Sequence, residues 1–244
     1  MALHPRPLIA VNGLLIEGEN PYLKLGNRYC DAILKAGGIP IAIPPVGGPL
    51  DLERLLERVD GVLLTGGDDF DTARLGLGPT HPTATITPAA KQDFDFLLAR
   101  AVVSMQLPVL GICYGMQLLG VAEGCGFYQH IPEDRPGAQN HSGGVVHSVR
   151  CEGGSRFSKL VREPELQVVS RHHQALASVT GPWSVAARDE QGLIEAIERA
   201  GHPYAFGVQW HPELSPEGSP HDRLFQGLIG AAAMRATRKL AGVS

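Results

Sequence analysis

The stretch Leu110–Gln117 reads LGICYGMQ. Val109 to Ile112 is a short apolar run of the kind that forms a buried strand, and a helical pattern runs from Tyr114 to about Glu123. Only Cys113 separates the two, so the chain must turn sharply there. A nucleophile on such a strand-to-helix turn stands exposed at the end of a sheet in a strained backbone conformation. The residues two positions to either side must then be small, and here they are Gly111 and Gly115. The helix that follows points its N-terminus at the sulfur, and that partial positive charge favours the thiolate. A cysteine beside a glycine is also a common buried packing residue. Cys30, Cys125 and Cys151 have no such turn around them and keep that plainer reading.

Working outward from the turn, strand-like and helix-like segments alternate, the pattern of a parallel sheet covered by helices. Leu8 to Val11 reads as a first strand. A helix follows from about Leu23 to Ala36, with Gly37-Gly38 as its C-cap, and Ile39 to Ile43 is a second strand, stopped by Pro44-Pro45. Leu50 to Val59 reads as helix, and Gly61 to Thr65 as a third strand ending at Gly66-Gly67. Thr87 and Pro88 form a helix start, a hydroxyl N-cap followed by proline at the first helical position, and that helix runs to about Met105. Beyond the turn the pattern becomes antiparallel, with strands at 145–150, 166–169, 183–187, 192–197 and 204–210 and a last helix over roughly 221–240. Neither repeat nor linker interrupts residues 1–244, which predicts one α/β domain. The loop from Asp68 to Thr85 is the longest irregular stretch, and such loops are often functional.

Tyr204 to Glu213 reads YAFGVQWHPE. Tyr204, Phe206, Val208 and Trp210 alternate with smaller or polar residues, as in a strand, and Pro212 cannot extend a sheet ladder. His211 thus emerges at a strand end, where α/β proteins place their active sites. Glu213 can bond one imidazole nitrogen and leave the other free to take a thiol proton. A histidine followed by proline can equally mark a surface turn. Cys113, His211 and Glu213 together form a candidate catalytic triad.

Composition narrows the remaining classes. Lys and Arg number 21 against 25 Asp and Glu, so the basic footprint of a nucleic-acid binder is missing. Asn12 and Gly13 break the apolar run a signal peptide would need, and no apolar stretch is long enough for a membrane span. Four cysteines in 244 residues are no disulfide scaffold, and together these features predict a reduced, cytoplasmic setting. Without Cys-x-x-Cys or His-Glu-x-x-His, no metal is expected. Without a phosphate-binding glycine motif, no nucleotide is expected, and the expected cofactor list is empty. Asp68, Asp69 and Asp71 read as solvated loop charges, His172-His173 as a pocket wall with metal ligation as the lesser alternative, and His141 and His147 as structural or as supports standing behind the site.

Four blocks carry a resemblance to a known family: YCDAILKAGGIPIAIP at 29–44, LLTGGDD at 63–69, GICYGMQ at 111–117, and HHQAL at 172–176 with GVQWHPE at 207–213. They resemble the class I glutamine amidotransferase superfamily, and within it the γ-glutamyl-γ-aminobutyrate hydrolase-like branch, peptidase family C26. The resemblance implies a flavodoxin-like doubly wound sheet, mostly parallel, with added antiparallel strands. It implies attack by Cys113 on a γ-glutamyl carbonyl, with His211 as base and then acid, Glu213 orienting it, and a glutamyl-thioester hydrolysed by water. The backbone N–H groups of Gly67 and Tyr114 would form the oxyanion hole. Gln117, and the backbone around Arg171 and His172, match positions near which the family holds the glutamyl amine and carboxylate. The implied ligand is a small γ-glutamyl compound, with neither nucleic acid nor membrane as partner. A free-standing hydrolase, which a homodimer would suit, is the first reading. A glutaminase subunit feeding ammonia to a separate synthase is the second. This chain departs from the branch at Tyr114, where arginine is usual, in GGDDFDTARLG at 66–76, which lacks the usual proline, and at Ser170-Arg171, where Asn-Ser is usual. Arg171 would suit a substrate carboxylate, and equally a plain surface position.

Overall fold

In the computed structural model, which describes residues 6–45 and 47–241, the apolar runs become strands joined largely by helices. In chain order these are β1 (Leu8–Val11), β2 (Leu14–Ile16), β3 (Tyr22–Lys24), α1 (Asn27–Lys35), β4 (Ile39–Ala42), α2 (Pro49–Leu56), β5 (Gly61–Leu64), α3 (Ala89–Ser104), β6 (Val109–Ile112) and α4 (Tyr114–Ala122). There follow β7 (Gly126–Tyr128), α5 (Ile131–Asp134), β8 (Val145–Cys151), α6 (Arg156–Val161), β9 (Glu165–Ser170) and β10 (Ala175–Ser178). Last come β11 (Trp183–Asp189), β12 (Ile194–Arg199), β13 (Ala205–Val208), a 3-10 turn at Pro212–Leu214 and α7 (Asp222–Leu240).

Nine strands form one sheet in the order β4-β1-β5-β6-β13-β12-β11-β8-β9. From β4 to β13 the neighbours run parallel, and from β13 to β9 every pairing is antiparallel. The parallel part has the strand order of a flavodoxin-like doubly wound sheet, as the sequence predicts. Apolar side chains cover it from both sides. Ile33 of α1 and Leu224 and Leu228 of α7 pack on one face, and Leu56 of α2, Leu98 of α3 and Leu119 of α4 on the other. Strands buried on both faces read as continuous apolar runs, and β5, β6 and β13 are buried at every residue. The alternation at 204–210 is therefore one of size and not of burial, and the strand itself stops at Val208.

Three helix boundaries differ from expectation. Helix α1 begins at Asn27 and not at Leu23, because Tyr22–Lys24 pairs with Leu14–Ile16 as a hairpin and takes up the backbone groups a helix would use. Helix α2 stops at Leu56, short of Val59. Thr87 does not cap α3. Its N–H donates to Asp69 O at 2.8 Å and Ile86 bridges Asp69, which holds the chain extended there and moves the N-cap to Pro88. The same bonds pin the 68–85 loop. The Asp69 carboxylate accepts from Thr85 N at 2.8 Å and lies 3.1 Å from His173 Nε2, and Asp71 accepts from Thr80 Oγ1 at 2.9 Å, so neither is a freely solvated charge. No helix among the described residues is long and apolar enough to cross a membrane.

Candidate active site

Cys113 is the single residue between β6 and α4, with φ 53° and ψ −108°. Positive φ is rare for a residue with a Cβ, and holding it costs about 1–3 kcal/mol that the surrounding packing must offset. The glycines show what does the packing. A Cβ on Gly111 would stand 2.5 Å from Gly115 O, and one on Gly115 would run into the Leu64 carbonyl of β5. The turn is thus tight enough that backbone touches backbone on both sides of the cysteine, which is why both positions are glycine.

β13 lies beside β6 with Val208 opposite Ile112, and Cys113 N donates to Val208 O at 2.8 Å. The two strands therefore deliver Cys113 and His211 to the same carboxyl end of the sheet. Gly66, just past β5, sits between them: a Cβ there would lie 2.9 Å from His211 Cε1 and 3.7 Å from Cys113 Cβ. His211 Nδ1 is 2.7 Å from Glu213 Oε1, inside the 3-10 turn that Pro212 opens. Burial pulls the ring's pKa down, but bonding to Cys113 and Glu213 outweighs it and raises the value to about 10. The buried Gln209 amide adds a contact, Nε2 at 3.6 Å from Cys113 Sγ.

Tyr114 is the first residue of α4, where a backbone N–H has no acceptor within the helix. Its ring packs against Gly67, where a Cβ would meet Tyr114 Cγ at 3.2 Å. The two residues expected to supply the oxyanion donors are therefore in contact. A buried polar network, which sequence patterns do not reveal, holds this pair. Tyr114 Oη donates to Asp95 Oδ2 at 3.0 Å, Asn12 Nδ2 donates to Asp95 Oδ1 at 3.0 Å, and Asn12 Oδ1 accepts from Thr65 N at 2.8 Å. Lys91 pairs with Asp95 from the next turn of α3. Burial raises the Asp95 pKa and lowers that of Lys91, each against the pull of its partner. Tyr114→Phe removes one donor from a buried carboxylate, so a loss of about 1–2 kcal/mol in urea unfolding is expected. A neutral result would mean that the other donors suffice.

The remaining expected residues divide. Gln117 is buried, and its Nε2 donates to Gln174 O at 3.1 Å and Gln209 Oε1 at 3.2 Å. Arg171 is exposed and lies over Gly144, with Nη2 at 3.4 Å from where a Cβ would stand. His172 turns inward, its Nδ1 2.9 Å from Gln174 O and its backbone N–H donating to His141 O at 2.9 Å. The structure also brings Tyr29 to the site. Its hydroxyl accepts from Gly66 N at 3.1 Å. Burial, then the nearby Glu213 and Cys113, raise its pKa and keep it protonated. Its place in a helical pattern gives no hint of that contact.

The chain is similar to several known proteins over most of its length. The chain is 32% identical to the γ-glutamyl-γ-aminobutyrate hydrolase PuuD of Escherichia coli strain K12 over 230 residues, covering 88% of this chain and 89% of that protein. It is 35% identical to Rv2859c of Mycobacterium tuberculosis, named provisionally as a glutamine amidotransferase, over 217 residues, covering 86% of this chain and 68% of that protein. Among solved structures, the glutaminase domain of Trypanosoma brucei CTPS with bound acivicin superposes with a TM-score of 0.65 at 17% identity, over 93% of this chain and 94% of that one, a likeness of fold. The peptidase C26 family description matches residues 7–213. The chain belongs to the peptidase C26 family.

Proposed function

We propose that this protein hydrolyses γ-glutamyl amide bonds, of the γ-glutamyl-amine or γ-glutamyl-γ-aminobutyrate type, by covalent catalysis at Cys113. The observation that carries this reading is the strained Cys113 at the end of β6, facing the His211–Glu213 pair across Gly66. The Cys113 sulfur attacks the γ-carbonyl, and the oxyanion is taken up by the N–H groups of Gly67 and Tyr114. Collapse breaks the C–N bond, His211 gives its proton to the leaving amine, and a glutamyl-thioester remains. Water then attacks the thioester and loses a proton to His211, and glutamate departs as the thiolate reforms. Glu213 fixes the ring's orientation and favours its charged form.

Purified protein supplied with γ-glutamyl-γ-aminobutyrate, other γ-glutamyl-amines and glutamine is expected to release the free amine with no added partner. Turnover of glutamine alone, and only when a synthase is added, would replace this reading with that of a glutaminase subunit.

The pH profile gives a second check. With its pKa raised to about 10, His211 holds its proton across the neutral range and loses it as pH rises through that value. The leaving amine then lacks its acid, so kcat/KM is expected to fall above about pH 10. Glu213→Gln removes one of the groups that raises the value, so the alkaline limb is expected to move to lower pH. A limb that stays in place would disconnect Glu213 from the ring.

A further inference from the structure

His141, His147, His172 and Glu195 come from four separate segments and meet in the interior, with exposures of 3%, 8%, 5% and 0%. Glu195 Oε1 lies 3.4 Å from His141 Nδ1, 3.8 Å from His147 Nε2 and 3.6 Å from His172 Nε2. Behind each ring stands an acceptor. Ser148 O is 3.1 Å from His147 Nδ1, Gln174 O is 2.9 Å from His172 Nδ1, and Asp189 Oδ2 is 3.2 Å from His141 Nε2. At His147 and His172 such acceptors hold the ring proton on the far nitrogen, so the near nitrogens present lone pairs to one another and to a carboxylate, while the Asp189 carboxylate lies beside His141 Nε2 without a hydrogen bond. Both His141 nitrogens, His172 Nε2 and both Glu195 oxygens make no hydrogen bond. Facing acceptors buried without a donor need a proton or a metal cation between them.

We propose that His141, His147 and Glu195 bind a divalent metal ion of the zinc type, with His172 completing the site. One ligand atom from each of the first three lies within 4.8 Å of the other two. Tetrahedral zinc with bonds of about 2.0–2.1 Å sets its ligand atoms about 3.4 Å apart, so ligand atoms now spread within 4.8 Å of one another must draw together around the ion. The acceptors behind the rings are the partners that ligating histidines keep. His147 Nε2 gives up the Ser170 hydroxyl, now at 2.7 Å, when the ion binds. The ion's role is structural. Glu195 O accepts from Gln209 N at 2.8 Å, and the Gln209 side chain reaches Cys113, so the ion ties β8, β12 and the turn after β9 into the wall behind the sulfur.

The test uses the full chain, freed of any affinity tag and stripped with chelator. Wild type and Cys113→Ala are each expected to take up close to one Zn²⁺ per chain. Their Tm should rise by about 5–10 °C at a hundredfold excess of metal over its Kd. Glu195→Gln and His147→Gln should lose both uptake and gain. If these variants do not fold, the Co²⁺ spectrum of Cys113→Ala decides: tetrahedral visible bands support the site, and the spectrum of the free aquo ion overturns it. Metal lost in Cys113→Ala but kept in Glu195→Gln would put the ion on the thiol and overturn the proposal. So would wild type that takes up neither Zn²⁺ nor Co²⁺, which would leave the cluster held together by shared protons.

Discussion

Cys113→Ala is expected to lower kcat/KM on γ-glutamyl substrates by about 10⁴–10⁶-fold, the range for loss of a covalent nucleophile whose partners cannot act without it. The fold should survive. Alanine keeps the Cβ, so the backbone at φ 53° is neither relieved nor worsened, and what is lost is the sulfur with its bond to His211 and its 3.6 Å contact with Gln209 Nε2. Circular dichroism and urea unfolding check that the protein is intact. Intact-mass spectrometry with a slowly turned-over substrate should show a glutamyl adduct on wild type and none on the variant. Activity within tenfold of wild type would show that the nucleophile is another group.

Gly115→Ala should be the most damaging single-methyl change near the site. The new Cβ would meet the Leu64 carbonyl oxygen and stand 2.7 Å from its carbon, both backbone atoms of a central strand buried on both faces. A flexible side chain could swing away, but this strand can move only by shifting Gly66 and Gly67 as well. Overpacking of this kind costs about 1–3 kcal/mol and more where the neighbour cannot yield. A lowered Tm is expected, together with at least a tenfold loss of activity well below the new Tm, because Gly67 and Tyr114 are displaced along with the strand. A change of under about 0.5 kcal/mol, the scatter of ordinary surface substitutions, would mean that the turn is looser than the distances indicate.

The turn at Cys113 is legible in the sequence because its cause is local: an apolar run, two glycines and a helix start leave the backbone few alternatives. The position of His211 past a strand end is legible for the same reason, since Pro212 stops the strand, whereas the flavodoxin-like order is implied only by the family resemblance. The start of α1 is not legible. Leu23 falls on a helical spacing, and only pairing with Leu14–Ile16 makes that segment extended. The network behind Tyr114 joins Asn12, Thr65, Lys91 and Asp95 across up to 83 residues of chain, with no spacing to mark it. The buried histidines escape motif searches likewise. A metal motif is recognised by ligands close in sequence, whereas His141, His147 and Glu195 meet only because β8 and β12 both flank β11.

The place of β13 in the sheet has a consequence for synthesis. It lies between β6 and β12, yet it is the last strand among the described residues. A nascent polypeptide that has not released residues 205–213 from the ribosome therefore carries two bare strand edges, a hazard for misassembly. It also carries a thiol with no imidazole beside it. On the proposed mechanism the sulfur is armed only once this strand is in place, so an unfinished copy would be chemically quiet, although its open edges make it the species most in need of a chaperone.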